Sequence, residues 1–216
     1  MALSNLLHSA AFGDTVPETR RRLRMTMTQD EIMSILRESG ALLDGHFELR
    51  SGLHSPRYFQ CANVLRYPRL AAKLCVALVE KMKPALAKVR VDGVIAPAMG
   101  GIAVGHEVAR ALDVVSIFAE KQEGKLVLRR FTIIEGQNYV VTEDVITRGG
   151  RVQETIDIVE NAGGNVVAIA VLVDRSGGNV SFNYPTFSLL QMEPVTYEPG
   201  KCPLCAQGTP AVHPGS

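Results

Sequence analysis

Tyr139-Val-Val-Thr-Glu-Asp-Val-Ile-Thr-Arg-Gly-Gly-Arg151 is an apolar run that meets two adjacent carboxylates, Glu143 and Asp144, and passes through Thr147 into a pair of glycines. The β-branched run Tyr139–Thr142 predicts a buried strand, and Val152–Asn161 carries a helical pattern, so the stretch reads strand, turn, helix. Amides at a helix start have no partner within the helix and, with the helix dipole, favour an anion. Gly149 and Gly150 remove the Cβ atoms that would keep the backbone from closing round a phosphate. The Thr147 hydroxyl can donate to a phosphate oxygen. Glu143 and Asp144 would repel that anion. They suit the hydroxyls of a sugar, or a reacting carbon that gathers positive charge. The combination describes a site for a ribose phosphate. No Gly-Lys-Ser/Thr follows, so this is not a Walker loop, and Gly100-Gly101-Ile-Ala-Val-Gly105 lacks the G-x-G-x-x-G spacing of a dinucleotide-binding oxidoreductase.

Outward from that stretch the pattern repeats. Val91–Ala96 reads as a buried strand, Ala98-Met-Gly-Gly101 as a small-residue turn, Ile102–Leu112 as a helix and Val114–Ala119 as a strand. Val166–Val173 is a further buried strand after Gly163-Gly164. Continuous apolar strands alternating with helices predict an α/β fold, a parallel doubly wound sheet covered on both faces and joined by right-handed crossovers. Ligands then bind beyond the carboxyl ends of the strands, at Ala98–Gly101, from Glu120 onward and at Glu143–Arg151. Gln122–Gln137 has no clean helical face and reads as a hairpin or mobile loop. Nearer the start, Thr28-Gln-Asp-Glu31 is a capping box ahead of a helix that Gly40 ends. His46–Arg50 and Arg57–Cys61 read as short strands around a turn, and Pro68 opens a long helix that Pro84 kinks or ends. From Ser176 the chain returns to short strands and turns.

The 216 residues carry 23 Lys+Arg against 22 Asp+Glu, a net charge of +1, which argues against a dedicated nucleic-acid binder. No apolar run approaches the roughly 20 residues of a membrane helix. Cys61, Cys75, Cys202 and Cys205 are spread thinly, as in the reducing cytoplasm. Cys202-Pro-Leu-Cys205 is a single C-x-x-C. Zinc needs two further ligands, Cys61 and Cys75 do not obviously supply them, and His54 and His106 show no metal-like partners, so free thiols are expected. Residues 1–26 read as a flexible leader or a misassigned start, and residues 27–216 as one domain.

These residues resemble a known family. Tyr139–Arg151 is similar to the phosphoribosyl-diphosphate (PRPP) signature of type I phosphoribosyltransferases. Three further stretches resemble the orotate-specific branch: Phe47–Phe59 its substrate segment, Gly93–Ile102 its pyrophosphate loop, and Val173-Asp174-Arg175 the strand that supplies an arginine to orotate. The resemblance covers about Thr28–Ser216. It implies a five-stranded parallel core under a small hood made from about 27–65 and 176–216. It implies a cytoplasmic, Mg²⁺-dependent pentosyltransferase (a glycosyltransferase) that makes orotidine 5′-monophosphate and pyrophosphate from orotate and PRPP in pyrimidine (UMP) biosynthesis. The implied assembly is a homodimer, with neither nucleic acid nor membrane as a partner. A purine or other base phosphoribosyltransferase, and a non-catalytic PRPP-sensing regulator, are the alternatives.

By the same resemblance Lys121 and Asp144 are catalytic. Glu143 and Asp144 hold the ribose, and Val145, Ile146, Thr147, Arg148, Gly149, Gly150 and Arg151 hold the 5′-phosphate. Arg175 pairs with orotate, Tyr58 and Phe59 flank its ring, Arg50 approaches PRPP from the hood, and Met99 and Gly100 belong to the pyrophosphate loop. No residue is implied as a direct metal ligand, the Mg²⁺ being held mainly by the PRPP pyrophosphate. The chain departs from the family pattern at several places: Gly100 stands where a lysine is usual, the loop after Lys121 is short and lacks histidine, and Arg148 and Arg151 replace small hydroxyl residues. Arg148 and Arg151 are expected to restore part of the missing positive charge. Lys125, Arg129 or Arg130 are expected to replace the loop lysine, across a dimer interface.

Overall fold

The computed structural model describes residues 27–49, 51–193 and 195–214. The expected leader, 1–26, and the candidate site residue Arg50 lie outside the described residues.

Helix α1 (Gln29–Glu38) begins at the capping box. The Glu31 amide donates to the Thr28 hydroxyl and the Thr28 amide to the Glu31 carboxylate. Its apolar face, Ile32, Ile35 and Leu36, is buried. An antiparallel hairpin follows, β1 (Leu42–Glu48) and β2 (His54–Phe59), with an irregular register between Asp44 and Phe47. Both strands start earlier than the sequence reading places them. Short α2 (Ala62–Leu65) leads to α3 (Pro68–Leu86), which runs through Pro84 without ending there.

The remaining strands are β3 (Gly93–Pro97), β4 (Val115–Gln122), β5 (Lys125–Val127), β6 (Asn138–Ile146), β7 (Asn165–Asp174) and β8 (Thr186–Gln191). They form one sheet in the order β5-β4-β3-β6-β7-β8. Five of them, β4 to β8 by way of β3, β6 and β7, run parallel, and β5 is antiparallel at the edge. The five parallel strands match the expected core. β8 departs from the expected hood over 176–216: it extends the sheet beside β7. Its three inner residues, Ser188, Leu189 and Leu190, are too few to declare a buried strand by pattern alone. Gln122–Lys125 closes as a hairpin, with Glu123 and Gly124 both at positive φ, the backbone a two-residue hairpin turn demands.

Alternation along the buried strands splits the core. Val94, Val140, Ala168, Ala170 and Leu172 face α3 and α4 (Gly100–Leu112). Ile95, Val141, Ile169 and Val171 face α5 (Gly150–Asn161). A sheet apolar on both sides must be sandwiched between helices. The chain leaves β3 for β4 on one side and returns to β6 on the other. The strand order therefore reverses between β3 and β6, which opens a crevice at their carboxyl ends.

The C-terminal segment lies across the hairpin. Backbone bonds join His54 with Tyr197, Glu48 with Val212 and Val212 with His46. A 3₁₀ turn (Pro199–Lys201) and α6 (Pro203–Ala206) sit between those attachments. This arrangement corrects the reading of Cys202-Pro-Leu-Cys205 as an isolated pair and of His54 as partnerless. The fold gathers both cysteines against His46 and His54.

Candidate active site

β6 continues through the acidic pair to Ile146, so Glu143 and Asp144 lie near the end of a strand rather than in a loop. The chain then turns at Thr147–Gly149 and enters α5. Gly149 has φ +75°, and a Cβ there would come within 2.6 Å of Val180 Cγ1, so both backbone and space demand glycine. No side chain caps the start of α5, and its first amides face a cavity of about 660 Å³. Thr147–Val152 line one wall of that cavity, and Ala98, Met99 and Gly100, from the turn after β3, line the other. Arg151 bridges the walls, Nη1 donating to the Ala98 carbonyl at 2.9 Å. A Cβ on Gly100 would lie 2.6 Å from Asp144 Oδ2, so a side chain there would require the Asp144 carboxylate to shift.

A second cavity, about 1040 Å³, opens toward the hairpin and is lined by Tyr58, Phe59, Cys61, Arg175 and Asn179 among others. Gln60, Asp144, Val145, Thr147 and Arg148 border both cavities, which makes them one cleft with Asp144 at the junction. The Arg175 guanidinium lies over the Phe59 ring, 5.3 Å from its centroid. Burial draws the Arg175 pKa down from its ordinary value, yet the group keeps its charge. Phe59 is itself buried in the core, whereas Tyr58 is half-buried and leans on Phe47.

The acidic pair is asymmetric. Glu143 is buried and accepts from the Asp144 amide at 3.0 Å; Asp144 is half-buried and accepts from the Val145 amide at 2.8 Å. Burial, then the neighbouring Asp144 charge, push the Glu143 carboxyl up to about 9. The protonated form of Glu143 is thus favoured relative to an ordinary glutamate. The more exposed Asp144 is the carboxylate presented to the cleft. Burial first, and Asp144 second, also push the Cys61 thiol far up, so it is an inert lining group.

Residues 69–196 match the Phosphoribosyl transferase domain family. The chain is 50% identical over 191 residues to the orotate phosphoribosyltransferase of Heliobacterium modesticaldum, covering 88% of this chain and 99% of that one. The chain belongs to the orotate phosphoribosyltransferase family. The Carboxydothermus hydrogenoformans member is 48% identical over 187 residues, 86% of this chain and 97% of that one. The crystal structure of orotate phosphoribosyltransferase from Aeropyrum pernix superposes with a TM-score of 0.59 at 25% identity, over 74% of this chain and 93% of that one. Family membership makes the chain a phosphoribosyltransferase, a pentosyltransferase enzyme.

For a member of this family, the candidates gather unevenly. Glu143–Arg151, Met99 and Gly100 share the first cavity, and Tyr58, Phe59 and Arg175 the second. Lys121 lies elsewhere: it is exposed near the end of β4, paired in register with Leu126, and borders neither cavity. Of the expected substitutes for the loop lysine, Arg130 is engaged by Glu120 at 3.0 Å. The sequence reading missed Gln60, which borders both cavities, and Asn179, at the rim of the second. Neither belongs to a motif. Each reaches the cleft because a chain reversal follows β2 or β7.

Proposed function

We propose that the cleft transfers the 5-phosphoribosyl group of PRPP to orotate, giving orotidine 5′-monophosphate and pyrophosphate. The observation that carries this reading is the meeting of the two cavities at Asp144 and Thr147. An anion cradle and a cavity walled by Arg175, Phe59 and Tyr58 share one reacting position there. The near-half identity to orotate phosphoribosyltransferases over almost their whole length supports orotate as the base.

The 5′-phosphate is held by the amides at the start of α5 and by the Thr147 hydroxyl. Glu143 and Asp144 take the ribose hydroxyls. As the bond from C1′ to the pyrophosphate oxygen breaks, positive charge gathers on the ribose and the Asp144 carboxylate favours it. The leaving pyrophosphate lies along Ala98–Gly100. Arg151 already crosses that turn, and together with Arg148 it supplies positive charge where Gly100 offers none. Lys121 adds to it; its exposed position near the carboxyl end of β4 supports that assignment. The orotate nitrogen attacks C1′ from the second cavity, where Arg175 pairs with its carboxylate or carbonyl and Tyr58 and Phe59 lie against the ring. Fixing both reactants in line lowers the barrier further. The titratable groups lining the first cavity besides arginine are Glu143, Asp144 and Glu154, all oxygen donors, which suits a hard cation such as Mg²⁺. Asp144 would face it, while PRPP supplies most of its ligands. When bound, the ion would supply neutralising charge for the pyrophosphate leaving group.

The proposal places the enzyme in the cytoplasm as a homodimer. Among the described residues no helix is long and apolar enough to cross a membrane. Met99, 85% exposed beside Leu65, Pro68 and Ile102, supplies an apolar rim that supports self-association. Protein mixed with PRPP, Mg²⁺ and orotate should consume orotate absorbance, with adenine, hypoxanthine and uracil inert. Product from a purine alone overturns the assignment.

A further inference from the structure

Away from the cleft, four side chains from three chain segments converge between the hood hairpin and the C-terminal segment: His46 of β1, His54 of β2, Cys202 ahead of α6 and Cys205 within it. Their ligand atoms all lie within 4.8 Å of one another. His46 Nε2 is 2.8 Å from His54 Nδ1, 3.4 Å from Cys202 Sγ and 3.7 Å from Cys205 Sγ. Cys205 Sγ is 3.3 Å from His54 Nδ1. Around a tetrahedral zinc ion with bonds of about 2.0–2.3 Å the donors stand about 3.3–3.8 Å apart, which the three nitrogen–sulfur separations match and the histidine pair would reach by opening about 0.5 Å.

The surroundings favour a metal over a set of mutual hydrogen bonds. His46 Nδ1 lies 2.7 Å from the Thr209 carbonyl oxygen. A carbonyl can only accept, so Nδ1 carries the proton and Nε2 turns its lone pair inward. A backbone carbonyl behind the ring is how a metal-bound histidine is commonly oriented. His46, His54 and Cys202 are buried, and Cys205 closes the outer side. A set of two imidazoles and two thiols selects zinc among the common divalent ions. The closed set leaves no open position for a substrate.

We infer that His46, His54, Cys202 and Cys205 bind one zinc ion as a structural site that staples the C-terminal segment to the hood hairpin. The backbone bridges His54–Tyr197 and Phe47–Val212 flank the cluster, so the ion completes an attachment already sewn on both sides. The anchored hairpin carries Tyr58 and Phe59 on β2, and its connection supplies Ser51 and Leu53 to the second cavity. The site thus supports the shape of the base pocket without touching the reacting atoms.

The test begins with the full chain, purified without chelators or metal-affinity resin. Elemental analysis should find about one zinc per chain. Exchange with cobalt should produce the visible absorption of a tetrahedral cobalt thiolate. Stripping with chelator should lower the melting temperature by about 5 °C or more, reversed by added zinc. Cys205→Ser and His54→Ala should each lose most of the bound zinc at a fixed zinc buffer. The inference is overturned by native protein that carries no zinc and gives no cobalt–thiolate spectrum, including the case where Cys202 and Cys205 are found as a disulfide. It is overturned equally by either variant retaining zinc like the native chain. The native protein's metal content and cobalt spectrum decide the matter even if a variant does not fold.

Discussion

The floor of the cleft consists of the ends of β3, β6 and β7, strands whose residues lie within a sheet covered on both faces. Its roof is a two-stranded hairpin joined to the C-terminal segment by a few backbone bridges and the His–Cys cluster. On the proposed reading the floor takes the parts of PRPP that every such donor shares, a phosphate and a sugar, largely with main-chain amides and two carboxylates. On that reading the base is met from both: Arg175, just past the end of β7, lies over Phe59 of the roof, with Tyr58 in the same cavity. Backbone donors fixed by strand and helix ends cannot drift with a side chain's rotamer. A small hairpin needs outside attachment to be equally firm.

Substitutions on the two sides should separate accordingly. Asp144→Asn should have the largest effect, lowering kcat/KM by about 10²–10³-fold, since it removes the carboxylate at the junction of both cavities. A change under about threefold would deny the floor its electrostatic role. Arg175→Ala should act on one substrate only. Losing a charge-assisted hydrogen bond of about 1.5–3 kcal/mol should raise KM for orotate roughly 10- to 100-fold with KM for PRPP little changed. Equal rises for both would erase the distinction between the phosphate cradle and the base cavity. Arg148→Ala and Arg151→Ala, being exposed, should each weaken PRPP binding by only about two- to fivefold. Unchanged PRPP affinity would show that these arginines do not compensate for Gly100.

The smallest effect concerns stability. Glu143 binds its proton more tightly folded than unfolded, with the carboxyl raised from an ordinary value of 4.5 to about 9. Its contribution is therefore fully present below about pH 4.5 and is lost as pH rises toward about 9. Glu143→Gln, which mimics the protonated form, should gain in melting temperature relative to the native chain as pH is raised from 5 to 9. A difference that does not vary over that range would mean Glu143 is ionised in the folded protein.

The floor was legible in the sequence because each of its devices is local. The strand, the acidic pair, Thr147 and the glycines are contiguous, and the β-branched runs declare their burial. Gly149 could be assigned a turn from its neighbours alone, although the approach of Val180 could not be foreseen. The roof was less legible because its determinants are remote in sequence. His46 and Cys205 meet across 159 residues, and neither residue's neighbours announce the other. β8 escaped for a related reason: its membership of the sheet is decided by pairing with β7 and not by its own short apolar run. Lys121 is a different case: a motif resemblance marks it for the cleft, and it stands exposed on the hairpin of β4 and β5 beside the two cavities without lining either.

The central claim is that main-chain amides at the turn from β6 into α5 grip the sugar phosphate. Titrating isotope-labelled protein with ribose 5-phosphate and following backbone amide resonances tests it most directly. The largest saturable shifts should fall on Thr147 through Arg151. Shifts concentrated elsewhere, with those five amides unmoved at saturation, would contradict it.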